Sequence, residues 1–82
     1  MTREEAINII SKEGLENYNL NEDRYNRENE LVIKHEADTW VVYATDERAS
    51  MITGSKKIFS SDEEAWDNLI KRLRADKVRT ID

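Results

Sequence analysis

Two β-forming runs separated by three residues constrain this chain more than any other feature. Leu31-Val32-Ile33-Lys34-His35-Glu36 and Trp40-Val41-Val42-Tyr43-Ala44-Thr45 are both rich in β-branched and aromatic side chains. Ala37-Asp38 makes a tight turn between the first run and Thr39-Trp40. Folding back across that turn sets Glu36 opposite Thr39, His35 opposite Trp40, Ile33 opposite Val42 and Leu31 opposite Ala44. Side chains alternate along a strand, so Leu31, Ile33, His35, Trp40, Val42 and Ala44 share one face. Val32, Lys34, Val41, Tyr43 and Thr45 share the other. The first set carries more apolar bulk and is expected to meet the rest of the core. A slip of one residue would bury Lys34, which favours this register.

The flanking segments supply helices. Thr2-Arg3-Glu4-Glu5 has the spacing of a capping box, and its acids suit the positive end of a helix dipole. Ala6, Ile7, Ile10 and Ile9 follow at helical spacing, and Gly14 offers a left-handed stop with Leu15 folding back on the last turn. A first helix over about residues 3–13 results. Ser61-Asp62-Glu63-Glu64 repeats the capping pattern, and Ala65, Trp66, Leu69, Ile70 and Leu73 mark a second apolar stripe through about residue 75. Beyond it Val78 and Ile81 could cling to the core, but the short tail ending in Asp82 is expected to fray.

Between these lie two less regular stretches. Residues 16–29 hold five asparagines among acids and arginines. Tyr18, Leu20 and Tyr25 there read as anchors rather than as a strand, so the segment is either a solvated linker or a recognition loop. Gly54 marks a connector, with a short extension possible at Met51-Ile52-Thr53, and Lys56-Lys57-Ile58-Phe59 reads as a third strand. Either Ile58 or Phe59 faces inward. The expected fold is α+β, one domain over residues 1–82, in the order α-β-β-β-α. Its three-stranded antiparallel sheet would carry both helices on one face.

Composition narrows the chemistry. The 82 residues include no cysteine, which removes disulfides, thiolate metal sites and thiol catalysis. A small secreted domain would ordinarily be stapled, and the amino terminus has acids where a signal peptide would be apolar, so a cytoplasmic protein is expected. No segment is long and apolar enough to span a bilayer, so no membrane partner is expected. Thirteen basic against eighteen acidic side chains give a net charge of −5, which opposes nucleic-acid binding and suits a basic partner. The α-β-β-β-α order is shared with double-stranded-RNA-binding domains. Their basic helix start is replaced here by Asp62-Glu63-Glu64, which would repel a duplex.

No catalytic set stands out. Asp46 and Glu47, with Glu28 or Glu30, would supply carboxylates to a divalent metal, yet nothing in the spacing fixes their separation. Ser50, Ser60 and Ser61 could be paired with His35, but no acid orients that histidine. Gly54-Ser55-Lys56-Lys57 lacks the first glycine and the strand-to-helix context of a phosphate loop. No metal or cofactor is expected, and no enzymatic activity.

The run Trp40-Val41-Val42-Tyr43, then Asp46-Glu47-Arg48, Gly54, Phe59-Ser60-Ser61-Asp62-Glu63-Glu64-Ala65 and Ile70-Lys71-Arg72-Leu73-Arg74 forms a longer pattern. With Glu4-Glu5-Ala6 and Gly14-Leu15, it resembles a family of small bacterial immunity proteins from polymorphic toxin systems. The resemblance implies an antidote that binds the toxin domain of a neighbouring effector. The residues themselves suggest where a basic partner would sit. Asp46, Glu47 and Tyr43 stand where the second run leaves the sheet, and Tyr25, Glu28 and Glu30 belong to the loop entering the adjacent strand. Tyrosines suit interface anchors, and carboxylates steer association. A helix face is the competing binding surface. A generic adaptor, or a metal-dependent hydrolase built on Asp46 and Glu47, are the competing functions.

Overall fold

A computed structural model describes residues 1–80. Helix α1, Arg3–Glu13, starts at Thr2, whose Oγ1 accepts from the Glu5 amide while the Glu5 carboxylate accepts from the Thr2 amide, both at 3.2 Å. Gly14 closes it in the left-handed conformation (φ 64°, ψ 40°). A Cβ is disfavoured there, and the turn lets the Leu15 amide donate to the Ile10 carbonyl and the Leu15 side chain enter the core. Ala6 and Ile10 are buried and Ile9 packs beside them, whereas Ile7 faces outward.

Four strands follow: β1 Tyr18–Leu20, β2 Leu31–Glu36, β3 Thr39–Ala44 and β4 Lys57–Phe59. They form one sheet in the order β1-β2-β3-β4. The β2–β3 hairpin has the register expected from its alternation, from Leu31 opposite Ala44 to Glu36 opposite Thr39. β4 pairs antiparallel with β3 and places Phe59 opposite Trp40 and Ile58 opposite Val41. Phe59 therefore packs against the core, and Ile58 is 64% exposed on the opposite face. Met51 forms an isolated bridge to Thr45, so the extension around Met51 amounts to a single pairing.

The sheet differs from the expected three-stranded antiparallel one. Tyr18–Leu20 is a strand, and it runs parallel to β2 with Asn19 beside Val32. The sheet is therefore mixed and four-stranded, and the order is α-β-β-β-β-α. Asn17 and Asn21 bracket β1 at positive φ (64° and 59°), a conformation that asparagine tolerates better than most residues and that breaks the strand at both ends. Three residues between two breaks leave little alternation to recognise. Their pairing depends on a strand ten or more positions away.

Helix α2, Asp62–Thr80, runs past the expected end near residue 75. The Glu64 amide donates to Ser61 Oγ at 3.4 Å. Ala65, Trp66, Leu69, Ile70 and Leu73 bury one stripe in a single cluster with Ala6, Ile10, Leu15, Leu31, Ile33 and Val42. Both helices thus lie on the same side of the sheet. At their ends Arg74 forks onto the Glu13 carboxylate at 3.0 and 2.6 Å, and Lys77 Nζ reaches the Glu13 carbonyl. Val78 falls inside α2, and the expectation for Ile81 lies outside the described residues.

Candidate functional site

The sheet face away from the helices decides how the candidate residues are arranged. Val32 and Val41 lie on it, yet both are buried. The connection from β1 to β2 crosses this face and is tied to it by the side chains that alternation aims there. Asn19 Oδ1 accepts from the Glu22 amide at 2.7 Å, Lys34 Nζ reaches the Glu22 carbonyl, and Tyr43 Oη donates to Asn26 Oδ1 at 2.9 Å. Thr45 Oγ1 donates to the Arg27 carbonyl at 2.7 Å and accepts from the Glu30 amide at 2.8 Å. A polar connection thus takes the place that a second helical layer would hold. The face expected to be open beside Val41 and Tyr43 is partly covered.

Arg24 is the hub of that connection. Its Nη2 and Nη1 fork onto the two Glu30 carboxylate oxygens at 2.8 and 3.2 Å. The same guanidinium donates to the Glu22 carboxylate at 3.0 Å and to the carbonyls of Tyr25 and Tyr18. Hydrogen bonds donated to Glu30, then to Glu22, hold the Arg24 guanidinium above its ordinary pKa. Glu30 Oε2 also accepts from the Arg27 amide at 2.9 Å. Such forked, charge-assisted pairs fix orientation as well as distance.

A second stapled segment faces the first. Asp46 Oδ1 accepts from the amides of Arg48 at 2.8 Å and Ser50 at 3.1 Å, and the Ala49 amide donates back to the Asp46 carbonyl. Ala49 is pinned at φ 63° in that turn. Asp46 is thereby a turn cap, a familiar role for a short carboxylate. The turn throws Glu47 and Arg48 outward, and the Asn29 amide joins the two segments by donating to the Asp46 carbonyl at 3.0 Å.

Between the segments lies an open cleft of about 920 Å³, lined by five glutamates and three arginines. Of the residues expected at a partner surface, Glu28, Glu30 and Glu47 line it, while Tyr25, Tyr43 and Asp46 do not. Glu28 and Glu47 are exposed and have no side-chain partner among the described residues. Glu30 is only 2% exposed and closed off by Arg24, so it lies beneath the surface rather than on it. Tyr25 is 96% exposed on an otherwise bonded loop. Tyr43 is half-buried with its hydroxyl engaged. His35 shares the helix-side face with Trp40 and stacks on it at 4.4 Å, but at the exposed edge.

Sequence reasoning missed Arg24 and Asn26, which shape the loop, and Arg27 and Arg48, which line the cleft. Arg24 and Glu30 are six residues apart, a spacing that matches no helical period, and they lie in an irregular segment where strand alternation does not apply. The only local sign was the asparagines, of which Asn17, Asn21 and Asn29 all take positive φ.

Among the described residues, no group of three or more His, Cys, Asp or Glu side chains is placed to hold a metal ion. Nor is any helix among them long and apolar enough to cross a membrane. Neither a curated protein nor a solved structure matches the chain. The sequence profile of Immunity protein 59 does match, over residues 1–80. A match across nearly the whole length, from the α1 cap to the end of α2, shows that the chain belongs to the Immunity protein 59 family.

Proposed function

We propose that this protein is an antidote that binds the toxin domain of a polymorphic toxin one-to-one and neutralises it by occupying a basic surface. It acts without catalysis, without nucleic acid or membrane, and in the cytoplasm of the producing cell. The observation that carries this reading is the pair Glu28 and Glu47. Both are exposed and unpaired among the described residues, and they stand on two stapled segments across one cleft. Unpaired carboxylates on rigid backbone attract a cationic partner without first breaking internal bonds. A net charge of −5 adds a long-range field of the same sign. Tyr25 supplies an aromatic anchor beside them, and Tyr43, Asp46 and Glu30 support the loops from below.

Co-expression with the carboxy-terminal domain encoded by the adjacent toxin-like gene tests this reading. A one-to-one complex that survives purification, together with rescue of growth, is the expected result. Absence of a complex at micromolar concentrations, or rescue without binding, would overturn it.

A further inference from the structure

The β1–β2 connection is held more tightly than its position requires. Asn19, Lys34, Tyr43 and Thr45 reach it from the sheet face, and Arg24 and Glu30 gather it from within. Yet the aromatic side chain next to Arg24 takes no part, since Tyr25 is 96% exposed and joins the network through its carbonyl alone. A loop stapled only for stability would be expected to fold its own tyrosine inward, where the ring would be shielded from water. Here the backbone is fixed and the ring is left outside.

We infer that Arg24 and Glu30 are positioning residues for partner binding: their forked ion pair holds the loop in the one form that presents Tyr25 and Glu28, without touching the partner. This rests on the antidote reading above. The geometry supports it from both sides of the loop. Arg24 Nη1 bonds the Tyr25 carbonyl at 3.0 Å, which fixes the peptide that carries the exposed ring. Glu30 Oε2 bonds the Arg27 amide at 2.9 Å, which fixes the approach to Glu28. Glu30 is buried, and Arg24 is its cation, so loss of the guanidinium leaves a carboxylate that must find water by opening the loop.

The consequence is kinetic. A loop that is in its binding form for only a fraction of the time weakens apparent affinity by that fraction. The loss falls on association, because the complex once formed has all its contacts. A residue that touches the partner would instead change dissociation.

The test compares wild type with Arg24→Gln and Arg24→Lys in the full chain, using the adjacent gene's toxin domain as the probe. Both variants are expected to associate about tenfold to a hundredfold more slowly, with dissociation unchanged to within about twofold. Arg24→Lys keeps the charge but cannot form the fork, so it should lose nearly as much as glutamine. In the free protein, exchange of the Arg27 amide should speed up about tenfold or more while the Val32 and Val42 amides stay protected. Wild-type association in both variants, or faster dissociation at unchanged association, would overturn the inference. Should the Arg24 variants lose protection at Val32 and Val42, Glu30→Gln replaces them under the same criteria. A wild-type protein that binds no adjacent toxin domain defeats the antidote reading and the positioning role with it. The Arg27 exchange rate would then still report whether the fork holds the loop.

Discussion

Trp66 rather than Trp40 is the tryptophan on which stability turns. Trp66 is 1% exposed, between the α2 stripe and the sheet, with the Trp40 ring tilted against it at 6.0 Å. Trp40 is half-buried, with exposed His35 stacked on its ring at 4.4 Å. Truncating a buried tryptophan to alanine costs about 3–5 kcal/mol. The lost aromatic pair accounts for about 0.5–1.5 kcal/mol of that. Trp66 Nε1 has no hydrogen-bond partner among the described residues, so the truncation removes a desolvated donor rather than breaking a bond. That offsets about 1 kcal/mol and places Trp66→Ala at about 2–4 kcal/mol. Trp40→Ala gives up about half a ring's burial, near 2 kcal/mol. A domain of this size holds about 4–12 kcal/mol in all, so the first variant stands close to its unfolding threshold. Urea unfolding followed by far-ultraviolet circular dichroism reads both. With an m-value of about 1 kcal/mol/M, midpoints should fall by about 3 M and 2 M respectively. A larger shift for Trp40→Ala, or a shift under about 1 M for Trp66→Ala, would refute this account of the core.

The other predictions concern the surface and the turns. Glu47→Lys should slow association with the toxin domain and flatten its salt dependence while leaving the melting temperature unchanged, and wild-type kinetics would move the interface elsewhere. The hydrogen bond from Arg74 holds the Glu13 carboxyl below its ordinary value, so its contribution is present above the ordinary carboxylate range and lost as pH falls through the lowered value. An NMR titration should show the Glu13 midpoint rising in Arg74→Ala, and an unchanged midpoint would count against the pair. Ala37 occupies the hairpin turn at φ 51°, so Ala37→Gly should relieve strain and raise stability by about 0.5 kcal/mol in chemical denaturation, after the entropy cost of glycine. A lowered midpoint would show the turn to be unstrained.

Much of the fold was legible because it is local. The Thr2–Glu5 box involves residues three apart, and the β2–β3 register follows once Ala37-Asp38 is the turn and Lys34 is kept out of the core. What failed was pairing at a distance. β1 exists because its backbone meets β2 in parallel, and three residues carry no periodic signal of that. The end of α2 was misplaced for a similar reason. Its apolar stripe stops at Leu73, but Arg74 and Lys77 continue to bond the far end of α1, and no glycine or proline interrupts the helix.

The candidate site divides along the same line. Glu28 and Glu47 could be read as exposed from their place in polar turns, and they are. Glu30 could not be read as buried, because its burial depends on a guanidinium delivered by a loop that folds back over the sheet. The alternation that identified one face of the hairpin as core also identified Lys34, Tyr43 and Thr45 as pointing away from it. Such residues are ordinarily left to water. Here they are the attachment points of a loop, and Val32 and Val41 are buried as a result. A layer attached by polar bonds rather than by an apolar stripe need not turn its own side chains inward. That leaves its outward residues, Tyr25 and Glu28 among them, free to be chosen for a partner rather than for the fold.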